Sequence, residues 1–140
     1  MLRFVLSRLY AAYAAVSFAL VVLLVLCPLI ILGPTLAIRR ATGRFSVRAI
    51  LAIWGVPFHV RGSENLPAEP AIVVCNHASY MDGLVLTAAL PARYTFVVQD
   101  GAANWPYVGW VIKRMGVTFV NRSSARAGAA QTRALIKRLQ

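Results

Sequence analysis

The longest apolar stretch of the chain lies near its N-terminus. Residues 9–38 contain no charged side chain, and as one helix they would extend for about 45 Å, more than a bilayer core requires. Because Pro28, Gly33 and Pro34 interrupt the stretch, we expect the helix to break. Two architectures fit this pattern: a single tilted span over about residues 9–32, or a helical hairpin or re-entrant pair that lies in one leaflet.

Short apolar runs and helical segments alternate along the rest of the chain. The runs that indicate strands are 72–75, 94–98 and 116–122, with a possible short one at 56–60. The helical segments are 44–54, 79–90, 105–115 and 123–140, and residues 61–70 read as a surface loop. This order is typical of a parallel sheet. We therefore predict an α/β fold: an N-terminal membrane-associated helical segment, then an incomplete, mostly parallel sheet with flanking helices.

The pattern also predicts how the chain divides. We assign residues 1–42 to a membrane-anchoring helical segment and residues 43–140 to part of an α/β domain. Three or four strands with a final exposed basic helix leave a sheet edge uncovered. We therefore expect this sequence to be the N-terminal part of a longer protein.

Composition and charge make a membrane the expected partner. Hydrophobic residues account for 59% of the chain, the mean hydropathy is +0.67 and the formal net charge is +11. A chain this basic is attracted to polyanions, and its apolar content favours an anionic membrane over nucleic acid. We predict no nucleic-acid partner. Cys27 and Cys75 lie in apolar surroundings, one expected in lipid and one in a strand, so we predict a reducing compartment and no disulfide.

Arginines on both sides of the apolar stretch bear on its orientation. They are Arg3 and Arg8 before it, and Arg39, Arg40, Arg44 and Arg48 after it. For a single span, the larger downstream cluster predicts that the C-terminal part faces the cytoplasm. The presence of arginines at both ends favours the re-entrant arrangement, in which both ends face anionic headgroups. A cleaved signal peptide is disfavoured because the apolar region is too long.

The candidate chemistry begins with His77 and Asp82. The apolar run at 72–75 reads as a buried strand, so His77 is predicted to lie in the turn between a strand and a helix, where open α/β sheets bind ligands. Five residues of continuous helix turn through about 500°, which would leave the two side chains about 140° apart. They meet only if Asp82, in the first helical turn, points back to His77. Such a contact would make the imidazole a competent general base.

The same segment contains a possible helix cap. Ser79 followed by Asp82 has the form of a capping box, which would compete with the Asp82–His77 contact. We predict that Asp82 contacts His77 and that Ser79 alone caps the helix. His59, between Phe58 and Val60, is interpreted as structural. We predict no metal site, because two histidines and four scattered acids form no ligand set.

Residues 76–82 resemble the Asn-His-x4-Asp block of the glycerolipid acyltransferases, the family of 1-acylglycerol-3-phosphate acyltransferases. Residues 61–67 are similar to the loop that these enzymes place before the histidine strand. Residues 106–110 and then 116–122 resemble their second block, a Gly-x-x-Phe-x-x-Arg pattern. The resemblance covers about residues 46–130, with both blocks in the expected order and separation.

The resemblance implies acyl transfer from an acyl thioester, acyl-CoA or acyl carrier protein, to the free hydroxyl of a lysophospholipid. By this analogy His77 is the general base, Asp82 orients it, and Arg122 binds the acceptor's phosphate. Gly116 either permits close backbone approach or serves a turn, and Asn76 and Ser79 are further candidate substrate-binding residues. The resemblance implies no cofactor beyond the acyl donor.

Two departures from the family pattern bear on this expectation. The family's third and fourth blocks are absent, and the lysine-rich stretch of many members is replaced by residues 98–101. The 140-residue chain is therefore expected to be inactive alone even if its parent is an enzyme. The alternative from another class is a membrane-anchored basic module that binds anionic lipid without catalysis.

Overall fold

The computed structural model of the protein describes residues 1–79, 81–121, 129–131 and 133. Arg122 and most of the helix predicted over 123–140 lie outside the described residues. Within that segment, residues 129–131 and 133 are helical.

A single long helix, Leu2–Leu32, opens the structure. It consists of α1 (Leu2–Leu20), a π-helical segment (Val21–Leu26) and α2 (Cys27–Leu32). The predicted break occurs at Gly33 and Pro34, where the helix ends, but not at Pro28, which lies in the first turn of α2 with the helix continuing through it. A proline ring crowds the carbonyl four residues earlier, and here that carbonyl falls in the π-helical segment, where the wider turn accommodates it.

Helix α3 (Leu36–Ile53) turns back along the long helix. Thr35 caps its start, with Oγ1 accepting a hydrogen bond from the Ile38 N–H at 3.3 Å. Its other end meets α1, because the Tyr13 hydroxyl donates to the Ile53 carbonyl at 2.8 Å and Trp54 Nε1 donates to Ser17 Oγ at 3.0 Å. The two helices therefore form an antiparallel hairpin, and the choice between a single span and a re-entrant pair stays open.

The rest of the described chain forms small elements around a parallel strand pair. They are α4 (Asp82–Ala89), β1 (Val97–Gln99), α5 (Val108–Arg114) and β2 (Thr118–Val120). Strands β1 and β2 pair in parallel, with Val98 opposite Phe119. The α/β class, with an N-terminal apolar helix and an open parallel sheet, is confirmed. The predicted division between residues 42 and 43 falls inside α3, and the domain assignment stays a prediction.

Two predicted strands are absent from the described residues. Residues 56–60 and 72–75 have no regular structure. Ile72 and Val74 are exposed, at 60% and 87% of their surface, and Cys75 is exposed as well. The prediction of a buried strand at 72–75 was wrong, because a strand needs a hydrogen-bonding neighbour and the described sheet contains only β1 and β2.

Buried side chains form two clusters, and both join the hairpin to the later elements. In the first, Cys27 and Ile30 of α2 pack with Val111 of α5. Cys27 therefore lies in a protein cluster and not in lipid, contrary to expectation. In the second, α3 packs against Ala88 of α4.

Arginines of α3 bind backbone carbonyls at the C-terminal ends of α4 and α5. Nε of Arg48 donates to the Ala88 carbonyl at 2.9 Å and Nε of Arg44 to the same oxygen at 3.4 Å. Nε of Arg40 donates to the Met115 carbonyl at 3.0 Å. The last carbonyls of a helix lack partners within it, and cations suit that end of its dipole. These three arginines, expected to face headgroups, instead attach the hairpin to the domain.

Candidate active site

His77 lies in an exposed segment that leads into α4. Residues 71–79 have no regular structure, and Asp82 is the first residue of the helix. The His77 side chain is 65% exposed and that of Asp82 is 26% exposed. The imidazole is therefore open to a ligand arriving from outside, while the carboxylate beside it is partly covered.

One oxygen of Asp82 organises the segment. Its Oδ2 lies 2.8 Å from Nδ1 of His77 and accepts hydrogen bonds from the backbone N–H groups of Ala78, at 2.8 Å, and Ser79, at 2.9 Å. Asp82 thus contacts His77 as predicted, and it does so by pointing back from the start of a helix. The predicted competition with a backbone contact does not arise, because the same oxygen makes both.

The predicted Ser79 cap was only partly correct. Ser79 Oγ accepts a hydrogen bond from the Met81 N–H at 3.1 Å. This bond closes a local turn before the helix. The residue that precedes the helix is Met81, whose side chain makes no capping bond. The helix begins later than expected because Asp82 itself holds the Ala78 and Ser79 N–H groups in a turn outside the helix.

The charge of Asp82 bears on where the imidazole of His77 carries its proton. The hydrogen bond from the Ser79 N–H, followed by those from His77 and Ala78, holds the pKa of the Asp82 carboxyl below its ordinary value. A charged Asp82 fixes the proton of neutral His77 on Nδ1, which leaves Nε2 with a free lone pair. An imidazole held in this tautomer, with its acceptor nitrogen exposed, can take a proton from a bound hydroxyl.

The other predicted site residues fall in three places. Asn76 is exposed directly before His77. Gly116 has φ of 71°, and a Cβ there would lie 2.9 Å from a Leu36 methyl of α3. Gly116 therefore serves a turn that packs closely on the hairpin. Arg122 lies outside the described residues. Any role of these residues in substrate binding stays a prediction.

The segment before α5 holds two features that the sequence reading missed. Tyr107 has φ of 59° and ψ of −53°, and the Val108 N–H bonds the Pro106 carbonyl at 2.6 Å, which defines a γ-turn. At Gly109 a Cβ would lie 2.4 Å from the Ala103 carbonyl oxygen. Glycine is required there by close packing. The Pro-x-x-Gly spacing is visible in the sequence, but only the backbone geometry shows why a glycine is needed at residue 109.

The family of the chain follows from its sequence relatives. Residues 57–140 match the family model described as Acyltransferase. The chain therefore belongs to the acyltransferase family, and the His77–Asp82 pair lies within the matched region.

Individual relatives agree with this assignment. The chain is 35% identical over 84 residues to a lyso-ornithine lipid O-acyltransferase of Rhodobacter capsulatus, covering 60% of this chain and 29% of that protein. It is 32% identical over 88 residues to a 1-acyl-sn-glycerol-3-phosphate acyltransferase of Borreliella burgdorferi, covering 62% and 35%. A yeast protein of the latter name, from Saccharomyces cerevisiae, is 31% identical over 112 residues, covering 80% and 36%. The chain thus spans about a third of the length of these relatives. No solved structure matches it.

Proposed function

We propose that the protein transfers a fatty acyl group from an acyl thioester to the free hydroxyl of a lysophospholipid. The observation that carries this proposal is the 2.8 Å contact between His77 Nδ1 and Asp82 Oδ2, which leaves Nε2 of an exposed imidazole as a base. The contact lies in the region that matches the acyltransferase family.

The chemistry needs a base that first accepts and then returns one proton. Nε2 of His77 removes the proton of the acceptor hydroxyl while that oxygen attacks the thioester carbonyl carbon. The C–S bond then breaks, and the leaving thiolate takes the proton back from the imidazolium. Asp82 stabilises the imidazolium through Nδ1. The products are an ester and a free thiol, and the reaction as proposed uses no cofactor beyond the acyl donor.

We propose 1-acylglycerol-3-phosphate as the acceptor, with phosphatidate as product. Several relatives carry that activity in their names, while others are named for lyso-ornithine lipid. The sequence supplies Arg122 as the proposed phosphate ligand, because a guanidinium offers two donors to one phosphate. Asn76, Ser79 and Gly116 stay candidates for contacts with the acceptor. The donor is acyl-CoA or acyl carrier protein.

The hairpin supports a membrane location. The helix Leu2–Leu32 is long and apolar enough to cross a bilayer, and only 11% of its most apolar window is buried. Together with membership of the family, this indicates membrane association. Since α3 runs beside the long helix and is attached to α4 and α5, we propose that the hairpin lies along one leaflet with the active site on the cytoplasmic side.

Labelled acyl transfer by the full-length protein tests the proposal. The donor arms are acyl-CoA and acyl carrier protein, and the acceptor arms are lysophosphatidate and lyso-ornithine lipid. Loss of a general base predicts that His77→Ala lowers kcat by about 10²- to 10⁴-fold. The matched control is His59→Ala, since His59 is also exposed and should leave turnover unchanged.

The outcomes separate acyl transfer from the alternative. If His77→Ala keeps the turnover of the unmodified protein while remaining membrane-bound, the base assignment is wrong. If no donor and acceptor combination gives product while the protein binds anionic vesicles, the protein is a lipid-binding module without catalysis.

A further inference from the structure

A cluster of large side chains is exposed at the start of α5, outside the site described above. Trp105, Tyr107 and Trp110 expose 51%, 73% and 56% of their surface, and Val108 between them exposes 45%. We call Trp105, Tyr107 and Trp110 the aromatic face of α5; Val108 is left out because two helix positions differ by about 200° and place it away from Trp110. Water-exposed Trp and Tyr concentrated on one short segment mark an interaction surface.

The aromatic face lies beside the apolar hairpin. Val111, which follows Trp110 in α5, packs with Cys27 and Ile30 of α2. The guanidinium of Arg114 donates to the Ile31 carbonyl at the end of the long helix. Successive helix positions differ by about 100°, so Trp110 projects to the side of the face that packs on α2. The aromatic face therefore lies close to the end of the long helix, where Leu29 and Leu32 are exposed.

The backbone that carries this aromatic face contains a strained residue. Tyr107 is the only non-glycine residue with positive φ among those described, and its γ-turn conformation is strained for a residue that carries a Cβ. Strain of this kind persists where the surroundings impose it and often marks a functional segment. Here Gly109 wedges against the Ala103 carbonyl, which fixes the start of α5 directly after the strained turn.

We infer that the aromatic face of α5 is a second membrane contact, seated in the interfacial layer of the leaflet that holds the hairpin. Trp and Tyr prefer this layer because one end of each ring system is apolar and the other forms hydrogen bonds. Lys113, exposed near the end of α5, adds a cation suited to anionic headgroups. Attachment of α5 to the end of the long helix, which is apolar enough to cross a bilayer, favours lipid over a protein partner as the occupant. The inference rests on the membrane location in the proposed function.

Fluorescence quenching by brominated lipid tests this inference in the full-length protein. Within residues 1–140 the Trp54→Phe variant retains Trp105 and Trp110 as reporters, and any tryptophan elsewhere in the full-length protein is replaced by Phe in every variant compared. In vesicles of phosphatidylcholine and phosphatidylglycerol, bromine near the headgroups should quench its emission more strongly than bromine near the bilayer centre. The matched control, Trp105→Phe with Trp110→Phe, retains Trp54, which contacts Ser17 and Phe18 of the long helix and so reports on the hairpin. If Trp54→Phe fails to fold, the emission of the unmodified protein minus that of this control gives the emission of Trp105 and Trp110.

Each outcome supports or overturns the inference. Shallow quenching of the α5 reporters supports it. If they are quenched by aqueous iodide but not by lipid, the aromatic face lies in water and the inference is wrong. If neither quencher acts, protein covers the face and the inference is again wrong. Quenching of the Trp54 reporter alone would overturn the inference but leave the membrane anchor and the acyl transfer proposal intact, and none of these readings depends on turnover.

Discussion

The hairpin and the His77 segment are held in place in opposite ways. The hairpin is fixed by contacts between distant residues, such as the Tyr13 hydroxyl on the Ile53 carbonyl and Arg48 on the Ala88 carbonyl. The His77 segment is exposed, and one oxygen of Asp82 accepts three hydrogen bonds from it. The redundant contacts of the hairpin should tolerate single losses, whereas the His77 segment depends on one carboxylate.

In the proposed function, this difference separates the membrane anchor from the catalytic residues. Arginines of α3 join the hairpin to the ends of α4 and α5, so the attachment of the domain does not depend on the His77 segment. The start of α4 carries Asp82, while its last turn is held by Arg44 and Arg48. A change at the start of α4 should therefore affect reactivity, and a change at its end should affect stability.

Among the changes that test this comparison, Asp82→Asn is expected to have the largest effect. The neutral amide can still accept the Ala78 and Ser79 N–H groups, but it stabilises an imidazolium on His77 far less than a carboxylate does. We expect kcat to fall on the order of 10²-fold while the midpoint of unfolding stays close to that of the unmodified protein. Labelled acyl transfer and thermal unfolding in detergent measure the two quantities.

Asp100→Asn is the matched control, because Asp100 is also an exposed acid at the start of a helical turn. It should leave kcat unchanged. Full activity of Asp82→Asn would show that the carboxylate is not needed to orient the base.

A smaller effect, on stability, is expected from the two arginines that share the Ala88 carbonyl. Arg44→Met and Arg48→Met each leave one donor in place, so each single change should cost little. Arg48→Met should cost more, since its guanidinium also lies 5.9 Å from the centre of the Phe58 ring. The double variant leaves a carbonyl of buried Ala88 without a partner and should lose about 1–3 kcal/mol of unfolding free energy.

The measurement is a double-mutant cycle by denaturant unfolding. Arg61→Met, at an exposed loop arginine, serves as the control and should be neutral. If the double variant loses only the sum of the unfolding free energies lost in the two single variants, the two arginines do not share one carbonyl.

The smallest effect concerns pH. Hydrogen bonds to Asp82 hold the pKa of its carboxyl below the ordinary 3.8, with the Ser79 N–H as the largest cause. A group whose pKa is lowered on folding contributes stability above its unfolded pKa and loses it as pH falls through the folded value. We expect amide hydrogen exchange at Ala78 and Ser79 to accelerate below pH 3.8 relative to neighbouring amides. Asp82→Asn should abolish this pH dependence, and its persistence in that variant would assign it to another group.

The sequence alone determined the features that depend on local pattern. The uncharged stretch at 9–38 indicated the long helix, and apolar runs placed α4, α5, β1 and β2 near their observed positions. The five-residue spacing also determined how His77 and Asp82 meet, because a side chain at the start of a helix can reach back to the turn before it. These features involve residues close together in the chain, whose geometry is constrained by backbone sterics and helical period.

Only the tertiary structure decided the features that require a distant partner. Residues 72–75 have the composition of a strand but no neighbouring strand among the described residues. Arg44 and Arg48 carry the charge of headgroup ligands, yet the carbonyl that binds them lies on α4. The path of the helix through Pro28 and the γ-turn at Tyr107 likewise depend on backbone adjustments that no residue pattern specifies. A side chain's chemistry defines what it can bind, and the fold determines which partner comes within reach.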